Sequence, residues 1–382
     1  MTPVFIVAAK RTPQGRLLGA LAKRSATDLA QAAGREMLKT IDPQAIDQVI
    51  VGNVISAGQG MNIARQIGVG LGIPLDRPAY AVNMMCASGM QAVILAGQTI
   101  LAGEANAILC GGTESMSQAP YLLDRARGGY KLGNGVLIDS ILRDGLTDTF
   151  SGKHMALTVE ALAEKYAIDR AAQDTLALQS QQKYAAAQAK HVFNDEIVPV
   201  DNVKQDEHPR PNVTMEKLST MKPVFKPNGT ITPGNASGVN DGAAMLVICN
   251  ENTMAKKGWT PLARIVGWNT VGCDPEQMGL GPVFATRALC QRLGVTSDDF
   301  DAIELNEAFA AQALICIKEL HFKAERVNPN GGAIALGHPI GASGARLIVH
   351  LAHRIARQEI GKSLATLCVG GGMGSAVMIE KA

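Results

Sequence analysis

Short motifs in the first part of the chain recur in the same order far along the sequence. Four matched pairs keep offsets between 254 and 259 residues. Such an offset is much longer than the repeat period of about 20–50 residues that is typical of solenoids and propellers. The pattern therefore indicates two related halves of one molecule. The matched pairs are Ile6-Val7 with Ile265-Val266, 47–50 with 301–304, 87–89 with 342–344, and 110–112 with 368–371.

The two halves differ because the first one is interrupted. After Cys368 a glycine turn runs directly into the strand-like segment 376–379, whereas the equivalent apolar segment, 244–249, lies more than 120 residues beyond Cys110. Within each half, short apolar runs alternate with helix-length segments, which predicts an α/β fold. We expect a first half of residues 1–118 with 241–261, an inserted domain over 119–240, and a second half over 262–382.

The charge balance and the cysteine pattern exclude several classes of protein. The net charge of +2 gives no overall field that would attract nucleic acid or an anionic membrane. No segment approaches the ~20 uninterrupted apolar residues of a membrane-spanning helix. The seven cysteines are odd in number and widely spaced, without CxxC pairs or the His and Cys clustering of a metal site. We therefore expect no metal centre and a reducing, cytoplasmic location.

Cys86 stands at a predicted junction between a strand and a helix. The apolar segment 81–85 is typical of a strand, and 87–93 begins a helix that is apolar on nearly all sides. Free N–H groups at a helix N-terminus, together with the helix dipole, stabilise a thiolate over a thiol. This position favours a nucleophile. A small buried apolar residue is the alternative, and the sequence leaves both interpretations open.

His338 lies within the glycine-rich segment 331–344. The glycines permit a tight loop, Pro339 fixes the backbone beside the imidazole, and a helix is predicted from Ala345 onward. An isolated histidine in a loop is more often a surface residue than a functional one. The rigid, apolar surroundings favour a functional imidazole here.

Cys368 and Asn306 each follow a predicted strand of the second half. The run of glycines after Cys368 lacks the spacing of a dinucleotide-binding loop, and only eight residues follow Gly374, too few for a βαβ unit. We interpret these glycines as a turn that aims backbone N–H groups at an oxyanion. Asn306 follows the strand 302–305 and precedes a predicted helix, where an ordinary N-cap is the preferred interpretation.

Taken together, the motifs resemble the thiolase family over the whole chain. The resemblance implies two βαβαβαβαββ halves in five αβαβα layers, with an inserted loop domain that binds coenzyme A (CoA). It also implies a homo-oligomer, either a dimer or a homotetramer built as a dimer of dimers. The motifs that carry it are VAAKRTPQG at 7–15, NMMCASGMQA at 83–92, NEAFAAQ at 306–312, GGAIALGHPIGASGAR at 331–346 and CVGGGMGSA at 368–376.

The resemblance further implies a role for each of five residues. Cys86 would accept an acyl group as a thioester, His338 would activate Cys86, and Cys368 would serve as the general acid and base. Asn306 would hold a water that forms one oxyanion hole with His338, and backbone N–H groups of Cys86 and Gly370 would form another. Joining two acyl groups through carbon needs a covalent acceptor and a separate base, which two thiols and an imidazole supply.

By the same resemblance, CoA thioesters are the substrates and no tightly bound cofactor is expected. Arg210 would face the nucleotide phosphates, and Ser237 would bond the pantetheine amide. Lys217 departs from the family pattern, because relatives often carry a serine there, near the adenine; a lysine would pair with a phosphate or point to water. The CoA-binding positions that carry over are Leu146, His154, Met155, Arg210, Phe225, Ala236, Ser237, Ala308 and Phe309.

The resemblance implies a specificity for short acyl groups. Loops around His154, Met278 and Ala342 are similar to those of thiolases that form acetoacetyl-CoA, and Met155 and Met278 would crowd the acyl group. A 3-ketoacyl-CoA thiolase of β-oxidation, with broader chain length, stays an alternative. A decarboxylating ketoacyl synthase is disfavoured, because those enzymes use a second histidine or an asparagine instead of a second cysteine. A non-catalytic acyl-CoA-binding relative is disfavoured because both cysteines and His338 are present.

Overall fold

The computed structural model describes residues 3–382 and confirms the predicted α/β fold. No helix within this range has the length and apolarity needed to cross a membrane. The strands are β1 (Val4–Arg11), β2 (Gly15–Arg16), β3 (Gln48–Gly52), β4 (Ala79–Val82), β5 (Ala107–Ser115), β6 (Tyr121–Leu123), β7 (Leu137–Asp139), β8 (Asn240–Asn250), β9 (Ala263–Gly272), β10 (Ala302–Leu305), β11 (Lys362–Val369) and β12 (Met373–Glu380). The helices are α1 (Ala26–Met37), α2 (Ile63–Gly70), α3 (Ser88–Leu101), α4 (Met155–Lys165), α5 (Arg170–Ala189), α6 (Met215–Ser219), α7 (Glu251–Lys257), α8 (Gly281–Leu293), α9 (Ala310–Glu319), α10 (Ala333–Leu336) and α11 (Ile340–Ala356).

Ten of the strands form one continuous sheet. Neighbouring strands follow the order β10-β11-β12-β9-β1-β8-β5-β3-β4, with β2 beside β8, while β6 and β7 form a separate hairpin. β1 pairs with β8 of the first half and, through Val4, Phe5 and Ile6, with β9 of the second half. The two sheet layers expected from the resemblance are therefore two wings of a single hydrogen-bonded sheet.

Two helices occupy the middle of the molecule and contact each other. α3 packs on β3, β5 and β8, and α11 packs on β5 and β8 as well as on β11 of the second half. Their close approach requires glycine, because a Cβ added to Gly89 would lie 2.8 Å from the carbonyl oxygen of Gly341. With α1 and α2 on the outer face of one wing and α8 on that of the other, the layers run αβαβα.

The segment 119–240 contributes the β6–β7 hairpin, a π-helix over Ile141–Leu146, and α4, α5 and α6. A buried charge network ties it to both halves. Arg11 donates to Glu196 at 2.7 Å and to Asp206 at 2.6 Å, and His350 Nδ1 lies 2.7 Å from the second oxygen of Glu196. Removing one partner of a buried pair leaves an uncompensated charge and costs about 3–5 kcal/mol. The boundaries of the inserted domain stay a prediction.

Candidate active site

One cavity of about 290 Å³ brings together most of the residues that the sequence singled out. Cys86, His338 and Cys368 all contribute to its lining, although 252 residues of chain separate the first two. Three predicted residues, Arg210, Asn306 and Gly370, lie outside the lining itself. The predicted residues that line it are Cys86, Leu146, His154, Met155, Phe225, Ala236, Ser237, Met278, Ala308, Phe309, His338 and Cys368.

Cys86 sits on a tight turn that separates β4 from α3. The strand ends at Val82, earlier than predicted, and Met85 adopts a left-handed φ of 47°. The N–H groups of Ala87 and Ser88 donate to backbone carbonyls inside this turn, at 3.1 and 2.9 Å. These two N–H groups are therefore not available to donate to the Cys86 sulfur, whereas at a simple strand-to-helix junction they would be.

Burial decides the protonation state of Cys86. It raises the pKa of the thiol to about 11, although the backbone N–H groups of Gly370 and of Cys86 itself face the sulfur and act in the opposite direction. The predicted stabilisation of a thiolate is wrong for the resting site, since loss of solvation outweighs the two N–H groups. A Cβ on Gly370 would lie 2.2 Å from Met155 Cε, so glycine allows the close approach of this N–H.

The loop that carries His338 is fixed by its backbone. The His338 N–H donates to Asn240 Oδ1 at 2.9 Å, and the Asn240 amide in turn donates to the carbonyl of Gly15 at 2.8 Å. Gly337 has a φ of 105°, and a Cβ there would lie 2.5 Å from the Asn240 side chain. The rigid loop expected from the glycines and the proline is thus present, with Asn240 as its anchor.

Hydrogen bonds assign the tautomer of His338. Ser343 Oγ donates to the carbonyl of Pro339 at 2.9 Å and so accepts from His338 Nδ1, which is 2.5 Å away. The proton therefore sits on Nδ1 and the lone pair on Nε2, which lies 3.4 Å from Asn306 Nδ2. Burial, with the positive charge of Arg346, lowers the pKa of His338 to about 4. A neutral imidazole with an unprotonated Nε2 is a proton acceptor at neutral pH.

Cys368 lies one residue before the end of β11, where the chain turns through Gly371 and Gly372, both with a φ of 82°. Burial raises the pKa of Cys368 well above its ordinary value, and the nearby Cys86 raises it further. Its side chain packs in an apolar cluster with Met155 and Met278. Cys368 is thus a second resting thiol beside the first.

Asn306 is not the N-cap of a helix, so the preferred interpretation of this residue is wrong. α9 begins only at Ala310, and Phe309 occupies its N-cap position. The Asn306 N–H instead donates to the carbonyl of Thr366 at 3.0 Å, which continues the β10–β11 pairing and presents the amide to His338. The Asn306 Oδ1 is buried and has no hydrogen-bond partner among the described residues.

Two chain segments pair to form one wall of the cavity. The Ser237 N–H donates to the carbonyl of Ala308 at 3.0 Å, and the Ala310 N–H donates to the carbonyl of Asn235 at 2.9 Å. Elsewhere in the lining His154 stacks on Phe225, with ring centroids 4.5 Å apart. An apolar passage with a few fixed polar groups is typical of small-molecule sites.

Arg210 lies in a separate groove of about 260 Å³, which Arg16 and Lys217 also line. Within residues 3–382, no group of three or more His, Cys, Asp or Glu side chains is arranged to hold a metal ion. The cavity offers a ligand two thiols and an imidazole, and the groove offers the cations of Arg16, Arg210 and Lys217.

Sequence reasoning missed residues that support the site. Ser343 lies in the same motif as His338, and a hydroxyl five residues from the imidazole was the available signal. Asn240 gave no signal, because 98 residues separate it from the loop it holds. The lining residues that were missed are Met116, Leu142, Gly145, Gly238, Val239 and Ile340.

Comparison with known proteins agrees with this architecture. Residues 4–252 match the thiolase N-terminal domain, and residues 259–381 match the thiolase C-terminal domain. The chain belongs to the thiolase family.

Individual thiolases resemble it over their full length. Acetyl-CoA acetyltransferase of Escherichia coli is 49% identical, with 100% of each chain covered. The mitochondrial 3-ketoacyl-CoA thiolase of Bos taurus is 45% identical over 99% of this chain and 98% of its own. The crystal structure of human mitochondrial 3-ketoacyl-CoA thiolase in complex with CoA superposes with a TM-score of 0.97 at 45% identity, covering 100% of this chain and 98% of that one.

Proposed function

We propose that this thiolase is an acetyl-CoA C-acetyltransferase, which joins two acetyl groups into acetoacetyl-CoA with release of CoA and also catalyses the reverse thiolysis. The observation that carries the proposal is the meeting of two resting thiols and one neutral imidazole in a single cavity, from Cys86, Cys368 and His338. CoA thioesters as substrates are supported by the related human enzyme solved with CoA. The chemistry needs no tightly bound cofactor.

Acylation begins from the neutral pair of Cys86 and His338. Nε2 takes the Cys86 proton as the sulfur attacks the acetyl carbonyl, so a sulfur–carbon bond forms while charge develops on the carbonyl oxygen. The N–H groups of Gly370 and Cys86, which face the sulfur, would reach that oxygen. When the carbon–sulfur bond to CoA breaks, Cys368 gives its proton to the leaving thiolate. The site then holds acetyl-Cys86, a Cys368 thiolate and a His338 imidazolium.

Condensation uses the two charges that acylation leaves behind. The Cys368 thiolate removes a proton from the methyl group of a second acetyl-CoA, and the resulting carbanion attacks the acetyl group on Cys86. The His338 imidazolium donates from Nε2 to the enolate oxygen, together with a water held by Asn306, whose buried Oδ1 has no partner within residues 3–382. As Cys86 leaves, it recovers its proton from His338, and both thiols are restored.

The acyl group is expected to be short. Met155 and Met278 are almost fully buried beside Cys368 and take up space next to the reacting sulfurs. Steady-state thiolysis of acetoacetyl-CoA and of 3-ketooctanoyl-CoA tests this, and we expect kcat/KM to favour the C4 substrate at least about tenfold. A preference for the C8 substrate would instead assign the chain to the 3-ketoacyl-CoA thiolases, the second activity found among its relatives.

The oligomer expected for this chain is a homotetramer. The β6–β7 hairpin exposes a set of large apolar side chains, of which Leu132 is 98% exposed and Val136 71% exposed. An apolar patch on a projecting hairpin is typical of a protein–protein contact. β4 is also an edge strand with free backbone groups on one side. Two such surfaces support a dimer of dimers, which sedimentation equilibrium tests.

A cytoplasmic location is supported by the thiol chemistry. All seven cysteines are free, and the proposed reaction needs Cys86 and Cys368 in reduced form. A reducing compartment keeps neighbouring thiols from forming a disulfide. Cell fractionation with an antibody against the protein tests this location.

A further inference from the structure

Glu114 lies near the end of β5 and is completely buried. The buried ion pairs within residues 3–382 do not include its carboxylate. Burying a carboxylate without a cation costs free energy, which hydrogen bonds to the carboxylate have to offset. An apolar side chain at this point of the sheet would avoid that cost. The role of Glu114 therefore depends on the groups that donate to it.

The carboxylate of Glu114 accepts four hydrogen bonds from two segments of the chain. Oε1 accepts from the side-chain amide of Asn53 at 2.9 Å and from the N–H of Ile55 at 3.2 Å. Oε2 accepts from the N–H of Val54 at 3.1 Å and from the N–H of Gly341 at 3.0 Å. One oxygen therefore joins the loop that follows β3 to the start of α11.

The hydrogen bond from Gly341 fixes the helix that follows His338. Gly341 lies in the first turn of α11, where N–H groups have no partner within the helix, and the N-cap residue Pro339 offers no side-chain acceptor. The approach is close, since a Cβ on Gly341 would lie 2.7 Å from Oε2 of Glu114. The loop of His338 is thus held at two points, by Asn240 at its own N–H and by Glu114 three residues later.

The hydrogen bond from Val54 leads to the turn that carries Cys86. The carbonyl of Val54 accepts from the side-chain amide of Asn83 at 3.3 Å. The side-chain oxygen of Asn83 in turn accepts from the N–H of Met85 at 3.0 Å. Met85 directly precedes Cys86 and has the left-handed φ of 47° that forms the turn. A shift of the loop that follows β3 would therefore also move this turn.

Resting on the proposed function, we infer that Glu114 is a positioning residue, which holds the turn of Cys86 and the loop of His338 at one fixed separation. Nε2 of His338 must lie within hydrogen-bond reach of the thiol in order to take its proton. A misplacement of about 1 Å costs on the order of 100-fold in rate. Glu114 does not line the catalytic cavity, so it acts through the two segments that it joins and not on the substrate.

The test is rapid-quench acetylation by acetyl-CoA, in which the rate constant and the final yield of acetyl-Cys86 are measured separately. Glu114→Gln keeps the size of the side chain but replaces one acceptor oxygen by an amino group, which leaves two of the four donors without a partner. We expect the rate constant to fall about 10- to 100-fold, while the yield stays near one acetyl group per chain. A role in stability alone would lower the yield, because some molecules would be unfolded, and would leave the rate constant unchanged.

Asn83→Ala is a second variant, which removes only the connection to the turn of Cys86 and serves where Glu114→Gln does not fold. It should lower the same rate constant about three- to tenfold. Asp47→Asn is the matched control, because the Asp47 carboxylate also accepts two backbone N–H groups but lies at the opposite end of β3. This variant should be acetylated at the rate of the unmodified protein.

An unchanged rate constant in Glu114→Gln and Asn83→Ala, a loss confined to the yield, or an equal loss of rate in Asp47→Asn would overturn the inference. In each of these cases acetyl-Cys86 on the unmodified protein still supports the proposed function. A slow Glu114→Gln beside an unaffected Asn83→Ala would overturn the connection to the turn of Cys86. Failure of the unmodified protein to form acetyl-Cys86 would overturn the proposed function itself.

Discussion

The two halves of the molecule bring equivalent helices to one cavity but carry their reactive residues at different positions before those helices. α3 and α11 are the central helices of the two halves, and both begin beside the same cavity. The turn before α3 carries Cys86, whereas the loop before α11 carries His338. The duplicated frame therefore brings two equivalent helix starts to one cavity, but the reactive residues stand at different steps of the chain before them, because the repeat matches Cys86 with Gly341 and His338 with Asn83.

In both halves a serine side chain hydrogen-bonds to the backbone of the turn before the central helix. Ser88, in the first turn of α3, donates to the carbonyl of Met85 at 2.7 Å, and its counterpart Ser343 donates to the carbonyl of Pro339 at 2.9 Å. Only Ser343 makes a further contact with a reactive group, because it accepts from His338 Nδ1. The same residue thus shapes the backbone in one half and orients an imidazole in the other.

The third reactive position shows why the halves are not interchangeable. Cys110 is the counterpart of Cys368, but β5 continues to Ser115 and encloses Cys110 between β3 and β8. β11 stops at Val369, and its chain turns back into β12. Cys368 therefore stands at a strand end that opens on the cavity, whereas Cys110 is sealed within a sheet and has no access to substrate.

Among the predicted differences between the halves, the largest is the effect on condensation of removing the equivalent sulfurs of Cys368 and Cys110. Cys368→Ala should lower the rate of acetoacetyl-CoA formation by about 10³-fold or more, because it removes the base proposed for the methyl group of the second acetyl-CoA. Cys110→Ala should leave that rate within about twofold and cost about 1 kcal/mol of stability, the usual size for a small core truncation. Condensation kinetics and urea unfolding measure the two effects.

A loss of condensation in Cys110→Ala without a matching loss of stability would contradict the proposed difference between the two cysteines. Circular dichroism of both variants serves as the control for folding. Cys368→Ala should also keep its native spectrum, since alanine fits where the larger sulfur was removed.

The second largest difference is expected between the kinetic effects of replacing Ser343 and its counterpart Ser88. Ser343→Ala frees the Nδ1 proton of His338 and allows the tautomer with Nε2 protonated, which cannot take the Cys86 proton. We expect kcat to fall about 10- to 100-fold, with a smaller change in KM. Ser88→Ala should act mainly on stability, by about 1–2 kcal/mol, because it loses two hydrogen bonds with the backbone, one from the N–H of Met84 and one to the carbonyl of Met85. Equal kinetic effects of the two variants would refute the assignment of the tautomer to Ser343.

The pH dependence of acylation should show the smallest change. With the pKa of His338 near 4 and that of Cys86 near 11, the neutral pair persists between these limits. The rate should fall only as pH drops toward 4, where His338 gains a proton and can no longer accept one. Rapid-quench acetylation from pH 5 to 9 should therefore vary by less than about threefold. A rise of about tenfold per pH unit would mean that an ordinary free thiol is titrating.

Much of the site could be predicted because its reactive residues lie in short local motifs. Cys86, His338 and Cys368 each stand next to glycines or a helix start that mark a special backbone. Two interpretations were wrong: one concerned the solvation of Cys86, and the other the course of the chain after Asn306. Burial of Cys86 depends on elements far along the chain, so its raised pKa could not be predicted from a strand-to-helix junction. Asn306 looked like an N-cap because the stretch 307–309 before α9 has no distinctive composition.

The similarity of the two halves could also be predicted from short local motifs. The hydrogen-bonded contact between the halves could not. Repeated motifs indicate a duplicated fold, but the three residues that pair β1 with β9 carry no signal of that contact. The anchoring of His338 by Asn240 likewise depends on the return of the chain after the inserted segment.

Intact-protein mass spectrometry after brief exposure to acetyl-CoA and acid quench identifies which of the two sulfurs carries the acyl group. We expect one acetyl group per chain, mapped by peptide analysis to Cys86. The same adduct should form in Cys368→Ala, more slowly because the CoA thiolate then leaves without a proton from Cys368, and none should form in Cys86→Ser. An acetyl group on Cys368, or a Cys368→Ala variant that stays unmodified, would contradict the roles given to the two sulfurs.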